Sequence, residues 1–165
     1  MTKLTFAALG TALLAALPAF AQTAKPTVER GAYLASIMDC TGCHTPGTFL
    51  GKPDMARLLG GSDVGFQIPG LGIFYPPNLT PDAETGLGKW STADIVKAVR
   101  TGVRPDGRQL APAMPFMSYA KLTDTDANAL AAYLKSLKPV KNVAPALVGP
   151  SEKAKAPYLT VVMPQ

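Results

Sequence analysis

Three stretches of the chain repeat apolar residues at helical spacing. In residues 28–38, Val28, Tyr33, Leu34 and Ile37 fall on overlapping i, i+3, i+4 positions, which predicts a first helix. Gly31 lies in its middle, where glycine costs stability relative to alanine. A close crossing by another helix accounts for it; the alternative is a tolerated surface glycine. The second helix is predicted to begin after Ser91, a good N-cap, with Asp94 placed to complete a capping box. Ile95, Val96 and Val99 form its apolar face, and Gly102 followed by Pro105 marks its end. Thr123 caps the third helix, with Asp124 and Asp126 in the first turn, where the helix dipole favours carboxylates. Its stripe is Leu130, Tyr133, Leu134 and Leu137, and Pro139 stops it. This third helix is the natural partner to cross the first over Gly31.

The connections are as informative as the helices. Residues 45–89 are rich in glycine and proline and too long for an ordinary loop. Ile73-Phe74-Tyr75 predicts one short strand, ended by Pro76-Pro77. The other apolar residues of the loop, such as Leu50, Leu58, Leu59, Phe66, Ile68 and Leu71, are expected to pack on a bound group rather than on a sheet. Pro112 and Pro115 exclude a regular helix in residues 110–119 and stiffen a loop that carries Met114 and Met117. From Pro139 onward prolines alternate with Lys, Ala and Val, which predicts an extended tail, docked or disordered.

The N-terminus reads as an export signal. Lys3 precedes an apolar run over residues 4–17 that is too short to span a bilayer, and Ala19-Phe20-Ala21 is a cleavage site. An uncleaved anchor is the alternative. The organisation expected is a signal peptide over 1–21, a folded domain over 28–140 and a tail over 141–165. No membrane segment is expected after cleavage, and the form of the signal implies a bacterial periplasm. The 165 residues suit one folded domain, and the net charge of +5 is mild. Lysines and arginines are scattered, with no run that would bind nucleic acid.

Candidate chemistry centres on Cys40-Thr41-Gly42-Cys43-His44. This is C-x-x-C-H, the attachment pattern of a c-type haem. Two thiols on one helical turn can add to the two vinyl groups of a porphyrin, and the next residue sets an imidazole under the iron. A structural zinc site needs further Cys or His ligands that the chain lacks. A dithiol redox pair expects a βαβ context that the sequence lacks. A structural disulfide leaves the adjacent histidine unexplained. His44 is the only histidine, so a bis-histidine haem within the chain is excluded. A thioether is a good sixth ligand, and the residues alone leave Met114 and Met117 both open. Trp90 has an indole N–H that can meet a haem propionate, or it is a core residue. Arg100 can neutralise a propionate, or it is a solvated helix arginine. Asn78 can bond to the propionate edge or to its own turn.

Taken together, the haem motif after a first helix, the runs Asn78-Leu79-Thr80-Pro81-Asp82, Glu84-Thr85-Gly86-Leu87-Gly88 and Trp90-Ser91, the turn Arg104-Pro105-Asp106-Gly107-Arg108, the run Pro112-Ala113-Met114-Pro115-Phe116 and the final helix resemble a class I cytochrome c. The closer resemblance is to the cytochrome modules of alcohol, aldehyde and gluconate-type dehydrogenases, over roughly residues 28–140. It implies an all-α fold of about three main helices packed around one covalent haem c, with long loops. It implies Met114 as the sixth ligand and the carbonyl of Pro69 as the partner of the His44 N–H. It implies an electron carrier rather than an enzyme, with a periplasmic dehydrogenase as donor and an oxidase or another cytochrome as acceptor. The chain departs from that group in having a single haem motif, and Phe116-Met117 replaces an aromatic-proline pair. Two rival readings are a cytochrome subunit pinned in a dehydrogenase complex by its tail, and a sensor or peroxidase with an open sixth site. The lack of a second histidine or a nearby acid argues against the latter.

Overall fold

Thr27 opens helix α1 (Val28–Ile37) by accepting the Arg30 N–H on its side-chain oxygen. The computed structural model describes residues 26–164, so the expected signal peptide lies outside the described residues. The short helix α2 (Cys40–His44) follows at once. Helix α3 (Thr92–Thr101) starts on the Ser91–Asp94 capping box and ends at Gly102. A single turn, α4 (Phe116–Tyr119), precedes α5 (Asp124–Ser136), which Thr123 caps. Among the described residues, no helix is long and apolar enough to cross a membrane.

Helices α1 and α5 cross over Gly31. A Cβ there would collide with the backbone carbonyl of Ala129 and stand 2.6 Å from the Tyr133 Cβ. The buried face of α1 is Gly31, Leu34 and Ala35, set against Ala127, Ala129, Leu130, Ala131 and Leu134 of α5. The expected stripe of α1 is therefore corrected. Val28, Tyr33 and Ile37 are 40%, 54% and 60% exposed. Small residues bring the two backbones close, and the larger side chains flank the seam. An Arg30–Asp126 ion pair (2.8 Å) fastens its rim. Ile95 and Ala98 of α3 complete the core, with Leu59 and Leu87 from the long loop.

The strand expected at Ile73-Phe74 is present, but Phe66 and Ile68, expected to pack on a bound group rather than on a sheet, lie in a second strand beside it. Strands β1 (Gly65–Ile68) and β2 (Gly72–Phe74) pair antiparallel, with Phe66 opposite Phe74. The tail adds β3 (Tyr158–Leu159) parallel to β1, giving the order β2-β1-β3. Ile73 also bridges to Val148, whose carbonyl lies where a Cβ of Gly72 would stand, so glycine is what admits the tail here. Ile73 is buried in this arrangement and Phe66 meets Phe49 edge-on at 5.1 Å, while Leu50 and Leu71 are 61% and 51% exposed. The loop's apolar residues thus pack partly on one another and on the tail.

Candidate functional site

Asp39 builds the start of the site. It takes a left-handed backbone conformation (φ 52°), and its carboxylate accepts the Gly42 N–H at 3.2 Å. That caps α2 and sets Cys40 and Cys43 one turn apart, both half-buried and unbonded to each other. Burial pushes the Cys40 thiol up to about 11 and raises Cys43 as well, with the Asp39 carboxylate adding to both. These thiols lack the lowered pKa of a dithiol redox pair.

His44 ends the same helix and is buried. Its Nδ1 lies 2.8 Å from the carbonyl oxygen of Pro77. A carbonyl only accepts, so Nδ1 carries the proton and Nε2 keeps its lone pair. Burial lowers the imidazole pKa, opposed by the Pro77 bond, and the ring is neutral at neutral pH. The backbone is fixed too: the His44 carbonyl accepts the Gly61 N–H at 2.8 Å, and the fully buried Thr45 hydroxyl oxygen accepts the Leu59 N–H at 3.1 Å.

The partner carbonyl is therefore that of Pro77, not Pro69. Pro69 sits exposed in the turn between β1 and β2. Pro76-Pro77, expected from sequence only to stop a strand, brings a rigid carbonyl back to α2. Of the two roles open to Asn78, the structure shows bonds to its own turn. Its buried side chain accepts the N–H and hydroxyl of Thr80 (2.9 and 2.8 Å) and donates to Thr85 Oγ1 (2.9 Å) and the Val140 carbonyl (2.7 Å). It closes its own turn and pins the start of the tail. Arg100 is paired with Asp124 at the N-terminus of α5, so its charge staples α3 to α5. Trp90 packs half-buried on the core, with the Arg104 guanidinium 5.3 Å from its ring centroid.

The two methionines separate clearly. Met114 is half-buried in a turn in which its N–H bonds the Ala111 carbonyl at 2.9 Å. Met117 lies on α4 and is 78% exposed. Helix α4 itself departs from the expectation that Pro112 and Pro115 exclude helix here. Proline is tolerated at a helix start, and Pro115 stands there. Through α4, the Tyr119 hydroxyl donates to the Met38 carbonyl at 2.9 Å, which ties the methionine loop to the segment entering α2. Burial and the neighbouring Cys40, Cys43 and Asp39 push this phenol up to about 12.

The donor set fits a covalently attached haem. Two free thiols, a neutral imidazole with Nε2 unprotonated, and a tethered thioether loop are the groups such a haem needs. Among the described residues, no three His, Cys, Asp or Glu side chains gather to hold a bare metal ion.

Comparison with known proteins agrees with this chemistry. The cytochrome c family model matches residues 28–138. A nicotinate dehydrogenase component of Pseudomonas putida is 43% identical over 119 residues, covering 72% of this chain and 9% of that protein. The fructose dehydrogenase cytochrome subunit of Gluconobacter japonicus is 37% identical, covering 86% of this chain and 26% of that protein. The gluconate 2-dehydrogenase cytochrome c subunit of Pantoea cypripedii is 42% identical, covering 76% and 26%. The chain thus spans about a quarter or less of the length of these relatives. The family match spans both the thiol–histidine helix and the methionine loop, and on that basis the chain belongs to the cytochrome c family of electron carriers.

Proposed function

We propose that this chain is a periplasmic, monohaem c-type cytochrome with His44 and Met114 as axial ligands, passing single electrons from a periplasmic dehydrogenase to an oxidase or another cytochrome. The observation that carries the reading is the buried His44, oriented by the Pro77 carbonyl, at the end of a helix that bears two free cysteines. The export signal expected in residues 1–21 supports the compartment.

A bound haem supplies a one-electron iron couple; the protein supplies position and environment. Cys40 and Cys43 would hold the ring by thioether bonds. Pro77 holds the imidazole in one tautomer and raises its basicity as a ligand. Met114 would supply a thioether ligand, which favours a relatively high potential. Trp90 would offer its indole N–H to a propionate of such a haem. Scattered lysines steer acidic partners in a salt-dependent way.

The names of the relatives favour a second reading, in which the chain is a fixed cytochrome subunit of a dehydrogenase complex. Two measurements test the proposal. Mass and pyridine haemochrome analysis of the protein matured in a bacterial periplasm give one haem per chain, and two haems or none would overturn it. Gel filtration of the native protein in high salt gives a monomer if it is a free carrier, and a stable dehydrogenase complex if it is a subunit.

A further inference from the structure

Two loops hold His44. The loop around Gly61 bonds its backbone carbonyl, and the loop at Pro77 bonds its Nδ1. Backbone contacts join these loops directly, from the Ser62 N–H to the Pro76 carbonyl (2.9 Å) and from the Leu79 N–H to the Leu59 carbonyl (2.8 Å). One residue from outside them also links the two, by its side chain to the first and by its backbone to the stretch that follows the second. Asn142, in the tail, donates through Nδ2 to the Gly60 carbonyl at 2.8 Å, next to the Gly61 peptide that holds the His44 carbonyl. Its own N–H bonds Thr85 Oγ1 at 3.2 Å, the hydroxyl that Asn78 also reaches, directly after Pro77. Its Oδ1 accepts Arg57 Nη1 at 3.1 Å, which fixes the amide orientation.

We infer that Asn142 is a positioning residue for the axial imidazole of His44, and that the tail junction at residues 140–142 is part of the redox site. This inference rests on His44 being the axial ligand. A firmly held Pro77 carbonyl strengthens the imidazole as a donor and favours the ferric state. Loosening the clamp weakens that bond and shifts the balance toward ferrous iron.

The test compares haem-loaded wild type with Asn142→Ala, Asn142→Ser and Thr160→Val. Serine is polar but too short to reach Gly60. Thr160→Val removes a tail contact remote from the site, the Thr160 hydroxyl to Gln67 Oε1 (2.7 Å). Both Asn142 variants favour reduction by about threefold, a rise of about 28 mV at 59 mV per tenfold for one electron. Their His44 Nδ1–H proton exchanges faster with solvent by NMR, and Thr160→Val matches wild type in both readouts. Asn142 variants that melt earlier but keep the wild-type potential and proton exchange would reduce the residue to a structural role. A Thr160→Val potential that moves as far would also overturn the inference. A wild type that takes up no haem would instead defeat the underlying ligand reading.

Discussion

Gly31→Ala destabilises the folded protein by about 3 kcal/mol, the upper end for inserting a methyl group into a packed seam. The reason is geometric. The added carbon meets the Ala129 carbonyl and the Tyr133 Cβ, and backbone cannot rotate away as a side chain can. Helices α1 and α5 must separate, which also strains the Arg30–Asp126 pair and opens Leu34 and Leu130 to water. The intrinsic helix preference of alanine returns only about 1 kcal/mol. Thermal melts of the haem-loaded protein, followed by circular dichroism, should drop by roughly 6–12 °C. A variant that melts with or above wild type would mean that the two helices do not cross as closely as described.

Asn78→Ala has an effect of similar size by a different route. The side chain is fully buried, and its amide serves Thr80, Thr85 and Val140 together. Removing it strands the buried Thr80 N–H and most of the bonding at the Val140 carbonyl, at about 1–3 kcal/mol for each group left unsatisfied. The loss falls where the tail joins the domain, so the tail should loosen before the helices do. Limited proteolysis is expected to cut residues 140–150 much faster in Asn78→Ala than in wild type, alongside a lower melting midpoint. Unchanged cleavage with an unchanged midpoint would contradict the role of Asn78 as the hub of that junction.

Local rules account for much of this structure. Ser91 and Thr123 announce their helices because a cap is a contact three residues long, and Gly31 announces a crossing because little else tolerates glycine in mid-helix. The C-x-x-C-H turn is legible for the same reason: its chemistry is contained in five neighbours. The features that escape sequence reading depend on distant contacts. The carbonyl that meets His44 lies 33 residues away, and nothing local separates Pro69 from Pro77. Arg100 finds Asp124 across a helix interface, and β3 joins β1 from the far end of the chain. The buried face of α1 differs from its apolar stripe because periodicity weights large side chains, whereas the seam is built on Gly31 and Ala35. Helix α4 is a single turn, too short to have a period.

A haem held between His44 and Met114 is tested most directly by optical spectra. Wild type, Met114→Ala and Met117→Ala are recorded oxidised and reduced. Wild type and Met117→Ala are expected to show the red charge-transfer band of methionine-bound ferric haem, while Met114→Ala loses it and turns high-spin. A wild type without that band, whose reduced form binds carbon monoxide readily, would contradict this ligation and reopen the sixth site to sensing or peroxide chemistry.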